Sequence, residues 1–117
     1  MTDYSVQPTT GLVGGATIQF AEGVYPDIGT GIAVCEDAFF SVEPCLRNAW
    51  GGWTNSSRYG VSELPGSVRS ALVRCLRSQV ADLRAADADD QAVFLEKIAD
   101  WLAERCDERL SVSILGV

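Results

Sequence analysis

A chain of 117 residues with 47% apolar and 21% charged residues has the size and composition of one globular domain. At that length folding hides roughly two-thirds of the extended chain's surface, so neither a disulfide nor a metal is required to hold it. The net charge of −7 repels phosphate backbones and anionic lipid, which argues against nucleic-acid and membrane partners and in favour of basic ones.

In chain order, the N-terminal MTDYSVQPTT has neither the basic region nor the apolar segment of a secretory signal, and no apolar run approaches the ~20 residues of a membrane span. A cytoplasmic location is expected. Cys35, Cys45, Cys75 and Cys106 form no CxxC pair or compact spacing, so buried free thiols are expected rather than a zinc or thioredoxin-type site. Residues 1–15 read as loosely structured. Residues 16–21 alternate, with Ala16, Ile18 and Phe20 on one side and Thr17 and Gln19 on the other, which predicts a half-buried strand. Residues 31–35 are apolar throughout and suit a central strand. The intervening residues 22–30, with Pro26, Gly23 and Gly29, predict a hairpin with a long tip.

Ser41 is positioned to cap a helix that has Pro44 in its first turn. Val42, Cys45, Leu46, Ala49 and Trp50 fall on one face, which makes Trp50 a core residue. Gly51, at a position favouring left-handed backbone, is expected to end this helix. A second helix runs from about Pro65 to Ala85 on Val68, Leu72, Cys75, Leu76, Gln79, Val80 and Leu83. Residues 87–90 (DADD) form a turn rich in N-cap candidates, and a third helix extends over about 90–107 on Phe94, Leu95, Ile98, Trp101, Leu102 and Cys106. Residues 110–115 alternate Leu110, Val112 and Ile114 with serines, the pattern of a strand with one wet face. The fold class is therefore α+β. A small mixed or antiparallel sheet, made of the N-terminal hairpin and the C-terminal strand, packs with about three helices in a single domain spanning 1–117.

The chain has no histidine, which removes the commonest general base and every Ser-His or Cys-His arrangement. Lys97 beside Glu96 reads as a solvated helix face. Arg74 precedes Cys75 but projects about 100° away on a helix, so it gives that thiol little activation. Glu36-Asp37 after a strand, with Glu22 and Asp27 in the hairpin tip, are the candidate carboxylate pairs for acid/base chemistry or a hard cation, and their spacing matches no calcium loop. Gly29-Thr30-Gly31 precedes a strand and not a helix, so it is a turn signal rather than a phosphate loop. No catalysis, metal or cofactor is expected.

Protein binding remains. Asp3, Glu22, Asp27, Glu36, Asp37 and Glu43 give residues 1–46 an entirely negative charge, and AWGGWT at 49–54 adds an aromatic–glycine segment. In size, charge, layout and these positions the chain resembles the small acidic immunity proteins of bacterial toxin–immunity systems, including the contact-dependent inhibition type. The resemblance implies a tight stoichiometric complex with a cognate basic toxin domain. Asp27, Glu36 and Asp37 would steer that domain, and Trp53, Arg58 and Tyr59 would supply the contact surface. The segment from Trp53 to Tyr59 has no helical or strand period, so a binding loop and a loop lying over the core both stay open. The alternatives are an acidic secretion-chaperone-like homodimer that grips a client segment, and a carboxylate-dependent enzyme.

Overall fold

The computed structural model describes residues 4–8, 17–24, 27–51, 53, 60–105 and 110–116. The elements are β1 (Val6–Pro8), β2 (Thr17–Val24), β3 (Asp27–Cys35), α1 (Glu36–Phe39), α2 (Glu43–Ala49), β4 (Val61–Leu64), α3 (Gly66–Ala85), α4 (Asp89–Ala103) and β5 (Val112–Leu115). The five strands form one antiparallel sheet in the order β1-β3-β2-β5-β4. The expected α+β class holds, and β5 does return beside the N-terminal hairpin.

One face of the sheet is set by register. Ile18 lies opposite Val34, Phe20 sits between Ile32 and Ile114, and Leu64 lies opposite Val112. These side chains share a core with the apolar faces of the helices. Phe20 meets Phe39 of α1 and Trp101 of α4, with ring centroids 6.0 and 6.4 Å apart. In α3, Val68, Leu72, Leu76 and Val80 are buried, and in α4, Phe94, Leu95, Ile98 and Leu102 are buried. Each such burial stabilises the fold by roughly 1.5–3 kcal/mol. Across the outer surface of this helix pair, Arg77 bonds Asp100 at 3.2 Å and Arg84 bonds Glu96, so these two arginines of α3 are neutralised within the molecule.

Several expectations are corrected. The hairpin tip is short, because β2 continues to Val24 and β3 begins at Asp27. Gly23, at φ 94°, and Gly31 serve the strands: the register shifts between Ala21 and Gly23, and this bulge absorbs one extra residue of β3. Strands β1 and β4 were not expected, since three and four residues are too few to show a period. Ser113 is fully buried, not wet, and its Oγ donates to the Gly23 carbonyl at 2.7 Å. Helix α2 starts with Val42 and not Ser41 in the cap position, and it ends as Trp50 turns extended at φ −140°, without a left-handed glycine.

The cysteine expectation is also overturned for two of the four. Cys45 and Cys75 form a disulfide with Cα atoms 5.6 Å apart. The bridge is invisible in the spacing because it follows from α2 packing on α3, 30 residues apart in sequence. In the chain-entropy account a closed loop of that length contributes roughly 3–4 kcal/mol. Cys35 is free, as expected, and Cys106 lies outside the described residues.

Helix α3 ends in a Schellman turn. The Ala88 N–H donates to the Leu83 carbonyl at 2.8 Å, and the Asp87 N–H donates to that of Arg84 at 3.2 Å. Asp87 sits at φ 59°, where a Cβ is penalised and glycine is the usual residue. Ala88, the next residue, occupies the N-cap of α4 with no side-chain cap bond, so none of the expected caps forms. Asp87→Gly should raise stability by about 0.5–1 kcal/mol, read as a higher urea midpoint with unchanged slope. A lower midpoint would show that the aspartate is favoured at this turn.

Candidate partner-binding surface

Glu36 and Asp37 form the first turn of α1, directly after β3, where acids sit well against the positive helix end. The single turn sorts its residues. Ala38 and Phe39 enter the core, Asp37 is exposed, Glu36 is half-exposed, and Phe40 just beyond is 49% exposed.

Asp27 does not join them. It opens β3, and Glu36 follows the strand's end nine residues on. At ~3.3 Å per residue that is roughly 25–30 Å, nearly the full width of a molecule measuring 40 × 31 × 26 Å. Its side chain lies outside the described residues, as do Arg58 and Tyr59. Glu22 is likewise at the far end of the sheet, where its Oε1 accepts a 2.7 Å bond from Arg105 Nε. The expected grouping of Glu22 and Asp27 opposite Glu36-Asp37 does not form, because the residues read as a loop are strand and carry the two pairs apart.

Trp53 lies in the core. It is 3% exposed, its ring meets Phe39 edge-on at 5.9 Å, and Trp50 packs 6.3 Å away. Its indole Nε1 donates to Glu43 Oε2 at 3.0 Å. Glu43 is itself 1% exposed, with Arg47 NH1 3.9 Å away. A buried carboxylate is costly without such partners, and a buried indole needs an acceptor. The pair therefore fixes where the chain goes after α2. Of the two readings left open for Trp53, the structure has the ring buried over the core. Trp50, expected in the core, is half-buried against it.

The sequence reading took DADD for caps only. In the fold, Tyr4, Asp87, Ala88, Asp89, Asp90 and Gln91 line an open groove of about 310 Å³, and the Tyr4 ring rests on Phe94 with centroids 5.4 Å apart. Neither Lys nor Arg is among these lining residues. Gln91 Nε2 donates to Ser41 Oγ at 2.9 Å, which ties the first turn of α4 to the turn after α1. Phe40 thus immediately precedes the residue bonded to the turn carrying Asp89 and Asp90, and the α1 acids stand one helical turn before it. This link joins segments 50 positions apart in sequence, and no local pattern marks it.

A second polar cluster is internal. Arg105 lies over the Trp101 ring at 4.1 Å and donates to the Trp101 carbonyl and to Glu104 as well as Glu22. Arg69 is 2% exposed and donates from NH1 to the Arg105 carbonyl at 2.6 Å, while its Nε has no partner. The Arg69 charge sits where the carbonyl end of α4 is negative, so this cluster ties α3, α4 and β2 together. Among the described residues there is no group of three or more side chains suited to hold a metal, and no helix is long and apolar enough to cross a membrane. Comparison with known proteins finds no matching family model, no matching curated protein and no matching solved structure.

Proposed function

We propose that this chain is a protein-binding domain of the immunity type, which neutralises a basic toxin domain by forming a stoichiometric complex with it. The observation that carries the reading is the acidic Tyr4–Gln91 groove, with Asp89 and Asp90, joined by the Gln91–Ser41 bond to the segment that follows α1, with its acids Glu36 and Asp37 and exposed Phe40. Grouped carboxylates steer a basic partner and fix its orientation, and an exposed aromatic beside them is suited to the desolvated centre of a contact. Of the residues expected from sequence, Glu36 and Asp37 stay at the centre of the proposed contact. Asp27 opens β3, at the strand's other end from Glu36, Arg58 and Tyr59 are kept as proposed contacts from the sequence alone, and Trp53 acts by holding the chain in place. The absence of histidine favours binding over catalysis.

The first test is whether a toxin-like C-terminal domain is encoded beside this chain; such a domain is the test partner. Replacing Glu36, Asp37, Asp89 and Asp90 together by Lys should slow association roughly tenfold or more and flatten its salt dependence, measured by stopped flow at two ionic strengths. Unchanged kinetics would remove this surface from the interface. A stable homodimer that captures extended peptide and ignores the folded basic domain would move the protein to the chaperone class.

A further inference from the structure

The disulfide joins two unlike environments. Cys45 is 1% exposed within the core, whereas Cys75, on α3, is half-buried at its margin. Helix α2 packs mainly against α3, so the bridge crosses the interface that positions it. Seven residues with no side-chain N-cap bond do not hold a helix by themselves. Two positions before Cys45, Glu43 holds the Trp53 indole. The bridge, α2 and Trp53 therefore form one mechanical chain.

We propose that Cys45–Cys75 is a redox clamp, opened from the Cys75 side by a small dithiol, and that opening it frees α2 from α3 and uncovers Trp53. The chemistry is thiol–disulfide exchange. A reagent thiolate attacks the Cys75 sulfur, the bond to Cys45 breaks, and Cys45 leaves as a thiolate that takes up a proton. The reagent's second thiol then attacks its own sulfur in the mixed disulfide. Cys75 is released as a thiol and the reagent becomes a cyclic disulfide, so two electrons pass to the protein. The sheet and the α3–α4 pair share no covalent bond with the bridge beyond Cys75 itself and stay folded. Opening is thus a local event, distinct from global unfolding. The clamp stands whichever partner the acidic groove takes.

The test uses the full chain purified without reductant. It is equilibrated in native buffer with increasing ratios of reduced to oxidised dithiothreitol, trapped with iodoacetamide and mapped by mass spectrometry. In parallel, tryptophan emission, acrylamide quenching and far-ultraviolet dichroism are recorded. The expected result is a bridged protein that is reduced without denaturant. Its dichroism is retained, its emission shifts to longer wavelength and its quenching rises. Cys75→Ser should show the same emission and quenching with no reductant present, and in Trp53→Phe the response to reduction should fall to the part that Trp50, at the end of α2, contributes. Three results would each overturn the proposal: free thiols at both positions in the untreated protein, reduction only in denaturant, or reduction that leaves the tryptophan signals unchanged.

Discussion

Trp53→Ala is expected to lower stability by about 3–5 kcal/mol, a large part of the 5–15 kcal/mol typical of a domain. Two losses add. The indole vacates a site bounded by Phe39 and Trp50, leaving a cavity that these rings cannot fill without leaving their own contacts. Glu43, 1% exposed, loses the donor at 3.0 Å while its carboxylate stays buried, and that asymmetry makes removing one partner more costly than the bond was worth. Trp53→Phe separates the two terms: the ring is largely restored and the N–H is not, so about 1–3 kcal/mol of the loss should remain. The measurement is urea unfolding of the three proteins, with midpoints compared at constant slope. A Trp53→Ala protein with the wild-type midpoint but weakened partner binding would place the ring at an interface, the reading that its burial opposes.

Trp53 also shows where sequence reading stops. The long helices were legible because a 3.6-residue period repeats over twenty residues in α3 and fifteen in α4, and an apolar face of that length has no other explanation. The centres of β2 and β3 were legible from alternation. Their ends were not, because Gly23, Gly29 and Gly31 carry the same letters in a turn as in a bulged strand. That one ambiguity displaced a functional expectation, since a nine-residue strand puts Asp27 and Glu36 at opposite ends of the molecule. What the fold does link to the segment after α1 is the start of α4, through the contact of Gln91 with Ser41. The disulfide and the Glu43–Trp53 bond are tertiary in the same way. Each joins residues whose sequence neighbours explain their presence well enough, Glu43 as a first-turn acid and Cys45 as one more apolar residue on a helix face.

Gly31→Ala should be among the most damaging single-methyl changes in this chain, costing about 3 kcal/mol or more. A Cβ built at Gly31 would lie 2.1 Å from the Phe20 carbonyl oxygen and 2.8 Å from Ala21 Cα. Both are backbone atoms of β2, so no side chain can swing aside, and relief requires β2 and β3 to separate at the bulge. That separation would pull at Phe20, which is fully buried and faces Ile32 and Ile114, so the strain passes directly into the core. Gly29→Ala is the matched control. Its Cβ would find the Glu22 side chain at 3.8 Å, an ordinary contact, and the change should be neutral or stabilising by up to about 1 kcal/mol. The two substitutions stiffen the unfolded chain equally, so the difference in their midpoints isolates the folded-state clash. Thermal or urea unfolding of both variants decides the matter. Similar midpoints would mean that β2 and β3 are not so closely apposed at Gly31, whereas a wide gap makes the close approach, rather than turn formation, the reason glycine stands there.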